Sequence, residues 1–281
     1  MLHLSAKIDT DIMMDIEALT KKLLSQNLED PSLLEGTAQF KSKKLLPNAT
    51  VVKIGGQSFI DRGKKAVFPL IKEIKENLPN HQMIIGTGAG TRARHAYSVG
   101  VDQGMPTGVL GLLGTFVSIQ NAKMIHYLLT EEGVPYIEPG GFSQLPLYLK
   151  QSNAVVFFGM PPYTYWQRSP EIGKIPPYRT DTGCYLISEA YGTKNMIYIK
   201  DVDGLYTNDP KKDKNAKFIP EITAEELVER DLDDVVVERA VIEMMKSAKN
   251  GKQIQIINGL VPGNFTRALN GEKVGTIITA K

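Results

Sequence analysis

Thr50-Val51-Val52-Lys53-Ile54-Gly55-Gly56 decides how this chain is read. Its β-branched residues favour an extended strand. Lys53 brings a positive charge to the end of that strand. The two glycines let the backbone turn and allow successive N–H groups to converge on an anion. The segment is therefore read as a strand running into a phosphate site at its carboxyl end, the place where open α/β sheets bind nucleotides. A plain turn beside a solvated lysine is the other reading of the same seven residues. The Gly-x-x-x-x-Gly-Lys-Ser/Thr loop is absent, so a Walker A site is excluded.

Composition narrows the classes. A chain of 281 residues suits one large α/β domain or a two-lobed one. Hydrophobic residues at 42% and charged residues at 23% are ordinary for a globular protein, and a net charge of +2 gives no electrostatic case for nucleic acid. The single cysteine, Cys184, excludes an internal disulfide framework and a multi-cysteine zinc site, and it fits a cytoplasmic setting. The first residues lack the apolar stretch of a signal peptide, and no uninterrupted run of about 18 apolar residues appears, so no membrane span is expected.

Strands are expected at 49–54, 82–87, 134–138, 153–158, 195–200, 252–257 and 275–279. Several are continuous apolar runs, as strands covered on both faces require. Helices are expected at 63–77, 107–131, 181–192, 223–230, 235–249 and 262–270. Val67, Leu70, Ile71 and Ile74 form the buried stripe of the first, and Pro262 is placed in the first turn of the last. Alternation of strands and helices predicts an α/β fold, an open and mostly parallel sheet sandwiched by helices. Residues 1–45 read as a helical extension preceding a domain at 46–281.

Three further segments carry chemistry. Gly86-Thr-Gly-Ala-Gly-Thr-Arg-Ala-Arg-His95 follows a strand and opens a helix, so its N–H groups, with Arg92 and Arg94, make a candidate anion pocket. Tight packing beside solvated arginines is the plainer alternative. Lys200-Asp-Val-Asp-Gly-Leu-Tyr-Thr-Asn-Asp-Pro210 is rich in carboxylates and turn formers. Carboxylates beside a phosphate site can hold Mg2+ through water or accept ribose hydroxyls, and Tyr206 is placed to border a base; a solvated acidic turn is the alternative. Residues 159–180 hold five prolines, three tyrosines and the only tryptophan, a composition that suits a functional loop or a subunit contact.

Taken together, Lys53-Ile-Gly-Gly, the glycine loop at 86–90, Thr180-Asp181 before a helix, and the Asp-Val-Asp-Gly-Leu-Tyr-Thr-Asn-Asp-Pro segment resemble the amino acid kinase family, in that family's order along the chain. The ending from Asn258 is similar to that of bacterial uridylate kinases. The resemblance spans about residues 48–281 and implies the amino acid kinase (carbamate kinase-like) fold. It implies that Lys53 binds the transferring phosphoryl group, with Gly55 and Gly56 as backbone donors, and that Asp181 organises the lysines and the metal site. It makes Gly88, Gly90, Lys200, Asp201, Asp203, Tyr206, Thr207 and Asp209 nucleotide candidates, and Arg92, Arg94 and Arg179 oxyanion candidates.

Within the family, Gly159-Met-Pro-Pro-Tyr, Ile175-Pro-Pro-Tyr-Arg-Thr-Asp and Asn258-Gly-Leu-Val-Pro-Gly-Asn resemble the molybdenum-storage branch, its β-type subunits above all. That likeness implies ATP with Mg2+, and molybdate or tungstate held as polyoxometalate clusters. It also implies a homo- or hetero-hexamer built as a trimer of dimers, with an α-type subunit as candidate partner, and neither nucleic acid nor membrane. The α-type subunits carry histidines after the strand near 134–138. Here the segment Tyr136-Ile-Glu-Pro-Gly-Gly-Phe-Ser-Gln-Leu145 has none, which leaves Glu138 and His126 as the metal candidates. For His126 a surface or core-edge position is the plainer reading. UMP kinase activity is the alternative function, and a kinase acting on an amino acid carboxylate is a third.

Overall fold

The computed structural model describes residues 18–24, 43–138, 140–163, 173–210, 212–232 and 235–281. The chain divides into two units, Met1–Lys43 and Lys44–Lys281. In the first, residues 18–24 are helical. The other residues of the expected helical extension before 43 lie outside the described residues.

In the second unit, β1 (Ala49–Ile54) is buried along its whole length. It pairs in parallel with β2 (Gln82–Thr87) on one side and with β4 (Asn195–Lys200) on the other. Outward from β2 lies β3 (Ala154–Phe157), and outward from β4 lies β8 (Gln253–Asn258), both parallel. Only β9 (Thr276–Thr279) runs antiparallel to its neighbour β8, and β7 (Glu221–Thr223) then pairs in parallel with β9. The strand order β3-β2-β1-β4-β8-β9-β7 reverses direction at β1, so the crevice of an open sheet falls at the carboxyl ends of β1 and β4. Two short strands, β5 (Leu205–Tyr206) and β6 (Phe218–Ile219), form a separate antiparallel pair.

Alternation along the strands divides the core in two. Val52, Ile54, Met83, Ile85, Ile197 and Ile199 face one layer, which holds α1 (Lys64–Asn77), α3 (Thr107–Leu129) and α8 (Asn264–Leu269). Ala49, Val51, Ile84, Met196, Ile254 and Ile256 face the other, with α5 (Thr180–Tyr191), α6 (Ala224–Arg230) and α7 (Arg239–Met245). The expected stripe of α1 is the buried one: Val67, Leu70, Ile71 and Ile74. α2 (Thr91–Asp102) packs on α3, and α4 (Leu145–Ser152) on β3. With the 3-10 turn that follows it, α3 spans Thr107–Glu132, long and apolar enough by length and composition to cross a membrane; half of its most apolar window is buried inside the fold. Its contacts with α2, β2 and β3 account for the buried half, while Phe116, Met124 and Tyr127 are exposed.

Three expectations change. The strand at 134–138 is a single bridge, Tyr136 to Val156. Pro135 has no N–H to give, so the pairing is limited to its carbonyl and the Ile137 N–H. The helix expected at 235–249 is reduced to Arg239–Met245, because Val236 takes a left-handed φ of 63° and the Val237 N–H donates to Val235 O at 2.6 Å. Pro262 precedes α8 rather than entering it: Gly263, at φ 83°, is the N-cap.

Gly183 lets α5 cross the β3–α5 segment closely: a Cβ there would stand 1.9 Å from Gly159 O. In a helix interior alanine is ordinarily better than glycine by about 1 kcal/mol. Forced contact with backbone costs about 1–3 kcal/mol, so the clash wins. Gly183→Ala is expected to lower the thermal midpoint, and a raised midpoint would show the crossing to be loose.

Candidate functional site

Strand parity brings the site together. Lys53 shares the face of Val51, and Lys200 shares the face of Met196 and Tyr198; both faces look toward α5. Lys53 lies opposite Tyr198 in the ladder, so Lys200 is two residues further along the neighbouring strand. Asp181, in the first turn of α5, stands between the two ammonium groups. Lys53 Nζ is 2.5 Å from its Oδ1, and Lys200 Nζ is 3.0 Å from its Oδ2. All three are buried, with relative exposures of 5%, 8% and 5% for Lys53, Lys200 and Asp181.

Burial acts against every charge in this trio. It would raise the Asp181 carboxyl, but Lys200 and Lys53 outweigh it and hold the group far below the usual carboxylate range. Burial also lowers Lys53, yet the nearby Asp181 leaves its pKa above the ordinary lysine value. At Lys200 burial wins: its contact with Asp181 is longer, Lys53 repels it, and its pKa falls. Lys200 is thus the lysine held less closely by the shared carboxylate.

The α5 N-terminus is closed by a residue distant in sequence. Glu238 accepts from the N–H groups of Arg179 (2.9 Å), Asp181 (3.2 Å) and Thr182 (3.1 Å), and from Thr182 Oγ1 (2.6 Å). In return the Glu238 N–H donates to Asp181 Oδ2 at 3.2 Å. Sequence reasoning missed Glu238. It caps α5 from a position 57 residues beyond Asp181, so no local spacing reveals it.

A cleft of about 1670 Å³ opens over these groups. One end is floored by the two glycine loops. Gly88 N donates to Ile54 O at 2.8 Å, and a Cβ on Gly56 would lie 2.3 Å from Gly90 N, so the backbones interlock where only glycine fits. Gly56, Gly88, Gly90, Arg94 and Arg179 line this end. Tyr97 stands beside them as a neutral phenol, its pKa pushed up to about 12 by burial. The far end is walled by the segment after β4, including Asp201, Tyr206, Thr207 and Asp209. Tyr206 packs edge-on against Phe218 at 5.4 Å, and Thr207 and Lys217 exchange two hydrogen bonds that fix the β5–β6 hairpin.

Several expected contributors are placed elsewhere. The Gly55 N–H is spent on Ile199 O (3.0 Å), so Gly55 is not a free donor and does not line the cleft. Arg92 is turned away, donating to Gln120 Oε1 at 2.9 Å and to Asn121 Oδ1. The N–H of Thr91 at the start of α2 is not open to a ligand, because Asp61 Oδ2 accepts it at 2.7 Å. Asp203 is engaged by Asn258 Nδ2 at 2.8 Å and is off the cleft. Arg62, also missed as a site residue, lines the cleft and pairs with Asp201. His126 and Glu138 lie outside it: Glu138 pairs with Lys123 at 2.8 Å, and His126 lies 6.1 Å from the Tyr136 ring. Of the Pro/Tyr loop, Met160, Ile175 and Arg179 reach the cleft, while residues 164–172, Trp166 included, lie outside the described residues. Among the described residues no group of three or more His, Cys, Asp or Glu side chains is arranged to hold a metal ion.

Breaking the trio has a defined cost. Removing one partner of a buried ion pair costs about 3–5 kcal/mol, because the other charge is left uncompensated. Asp181→Asn is expected to lose stability of that order in urea denaturation at pH 7. A carboxylate depressed on folding stabilises above its unfolded pKa of about 3.9 and ceases to do so as pH falls through the folded value. The gap between the two proteins should therefore narrow below about pH 4; a gap independent of pH would refute the ionised trio.

Comparison with known proteins agrees with this geometry. The model of the amino acid kinase family matches residues 48–258. The chain is 52% identical over 262 residues to the molybdenum storage protein subunit beta of Azotobacter vinelandii, covering 93% of this chain and 97% of that one. It is 30% identical over 241 residues to a uridylate kinase of Thermofilum pendens, covering 82% and 97%. Among solved structures, the uridylate kinase of Archaeoglobus fulgidus superposes with a TM-score of 0.64 at 22% identity, covering 82% of this chain and all of that one. The UMP kinase of Bacillus anthracis gives 0.65 at 20% identity, covering 83% and 96%. With its parallel sheet, its strand-end lysines and a family match over most of its length, this chain belongs to the amino acid kinase family.

Proposed function

We propose that this chain is an ATP-binding subunit for storing molybdenum or tungsten as polyoxometalate clusters, with loading driven by ATP hydrolysis. The observation that carries the reading is the 52% identity to a molybdenum storage subunit over 93% of the chain, against 30% or less for the uridylate kinases. The buried trio of Lys53, Asp181 and Lys200 supports the ATP half of the proposal. Phosphoryl transfer needs alignment and charge neutralisation more than covalent help. In this reading Lys53 and Lys200 receive phosphate oxygens, Asp181 holds both lysines in place, and Tyr206, Thr207 and Asp209 border the nucleoside. Arg94 and Arg179 stand at the acceptor end, where molybdate, a tetrahedral oxyanion like phosphate, meets the same donors.

Magnesium, in this proposal, enters on the nucleotide's phosphates, where it neutralises charge. The chain's own carboxylates at the trio are already committed: Asp181 to two lysines and Asp201 to Arg62. His126 and Glu138 serve as cargo contacts outside the ATP cleft. The assembly is a cytoplasmic hexamer, a trimer of dimers, with a homologous α-type chain as partner and residues 1–45 as an extension that serves it.

The intact trio equally suits a nucleotide kinase, so UMP phosphorylation is the second reading. Elemental analysis of the native assembly from molybdate-fed cells, with its mass measured alongside, separates the two. Molybdenum or tungsten in the assembly supports storage; neither metal, together with rapid UDP formation from UMP and ATP, would overturn it. Lys53→Ala is expected to cut ATP-dependent loading by about 10²–10³-fold, the scale of losing one preorganised charge donor, while leaving the assembly mass unchanged. Loading at the normal rate would show the nucleotide to be misplaced.

A further inference from the structure

Glu238 is the N-cap residue of α7, yet its side chain makes no cap bond to that helix. Its carboxylate instead takes four hydrogen bonds from Arg179, Asp181 and Thr182 at the start of α5. Its side chain is 9% exposed, and Arg179 Nε lies 3.7 Å away as a further partner. The exchange is reciprocal, since the Glu238 N–H is bonded to the Asp181 carboxylate itself. The backbone leading into it is constrained: Val236, a β-branched residue, sits at φ 63° inside a tight turn closed by the Val237 N–H and Val235 O. Strain of this kind persists only where the surroundings over-determine it, and it collects at working sites. Val236, Val237 and Glu238 all line the cleft.

We propose that Glu238 is a positioning residue of this centre: its carboxylate pins the start of α5 and its N–H fixes the Asp181 carboxylate that Lys53 and Lys200 share. The proposal rests on reading the cleft as an ATP site, but its geometry is separately measurable. Asp181 keeps both lysines near one carboxylate only while α5 begins where Glu238 holds it. Without that latch the carboxylate drifts, the lysines separate, and bound ATP is less well aligned for transfer while its binding contacts elsewhere persist. The negative charge of Glu238 also favours the charged form of both lysines.

The test uses Glu238→Gln in the full chain, which keeps one acceptor oxygen and the backbone N–H. With MgATP, kcat for hydrolysis is expected to fall about tenfold with KM nearly unchanged, the signature of lost transition-state alignment. Competitive acetic anhydride labelling read by mass spectrometry should show Lys53 and Lys200 several-fold more reactive, with exposed Lys72 unchanged as internal reference. Glu73→Gln is the structural control. Glu73 is another remote carboxylate cap, accepting from Gly263 N at 2.8 Å and Thr266 N at 3.1 Å at the start of α8. Losing it should leave the labelling of Lys53 and Lys200 as it was. If Glu238→Gln does not fold, Thr182→Val removes the 2.6 Å hydroxyl bond to the same carboxylate and should move the labelling in the same direction.

Wild-type kcat and wild-type labelling in the Glu238 variant, or equal labelling changes in the Glu73 control, would overturn the proposal. A wild-type protein that does not turn over ATP, but whose lysines become reactive in Glu238→Gln, would reject the ATP reading and leave the positioning role standing.

Discussion

One buried carboxylate shared by two strand-end lysines constrains the rest of this molecule. An isolated ion in the interior costs several kcal/mol even after relaxation, so Asp181, Lys53 and Lys200 are tolerable only together. Their meeting requires β1 and β4 to be adjacent and in the observed register, with α5 starting above their carboxyl ends. The reversal of strand order at β1 provides that adjacency. The trio is a weak source of net stability and a strong source of specificity: displacement of any member strands the other charges in the core. The two lysines exceed the one aspartate by a positive charge, and this excess makes the cleft receptive to anions.

Remote carboxylates repeat around this centre. Asp61 accepts the first N–H of α2, Glu73 those of Gly263 and Thr266, Glu189 those of Lys249, Asn250 and Gly251, and Glu238 those at the start of α5. In each case donors at a helix end or loop are satisfied by a side chain from another element. The energetic scale of one such cap is about 1 kcal/mol, small beside the core. The structural effect is larger, since each bond fixes the position of one element against another. The cleft is lined by the elements that two of these caps, Asp61 and Glu238, hold in place.

This pattern also explains what was legible in the sequence. The central strands were, because a strand buried on both faces must be a continuous apolar run: β1, β2 and β4 lie where Thr50–Ile54, Met83–Ile85 and Met196–Ile199 place them. Lys53 and Lys200 each stand near the carboxyl end of one of these strands, and the parallel pairing of β1 with β4 brings them to the same end of the sheet. The two- and three-residue strands β5, β6 and β7 left no period to read, and Pro135 cut the strand near 136 to a single bridge. Gly55 and Arg92 were expected to serve an anion. Both follow the right motifs, but sequence does not show which N–H or guanidinium is already committed, here to Ile199 O and to Gln120 and Asn121. Glu238 was illegible for the converse reason, since its partners exist only after α5 and the loop before α7 are brought together.

The commitments of the acidic groups give the cleft its direction. At the glycine-loop end, which Arg94, Arg179, Lys53 and Lys200 line, the carboxylates are already saturated with donors: Asp181 by two lysines and an N–H, Glu238 by four hydrogen bonds. Such carboxylates have little remaining capacity to take up a cation from solution, so this end presents itself as positive. At the opposite end Asp209 and Asp213 are partly exposed beside the β5–β6 hairpin, and Lys212 lines the same wall and pairs with Asp209 at 3.7 Å, so the charges there are solvated and mutually offset. On the proposed reading, an elongated polyanion with a neutral, hydroxyl-bearing tail would set its charged end over the lysines and its tail against Tyr206 and Thr207. Reversal would leave the buried lysines facing neutral groups, while the hairpin's own charges stay in contact with solvent. The burial that makes the trio costly is thus also what would orient such a ligand, because in a site of low dielectric the difference between the two orientations is amplified.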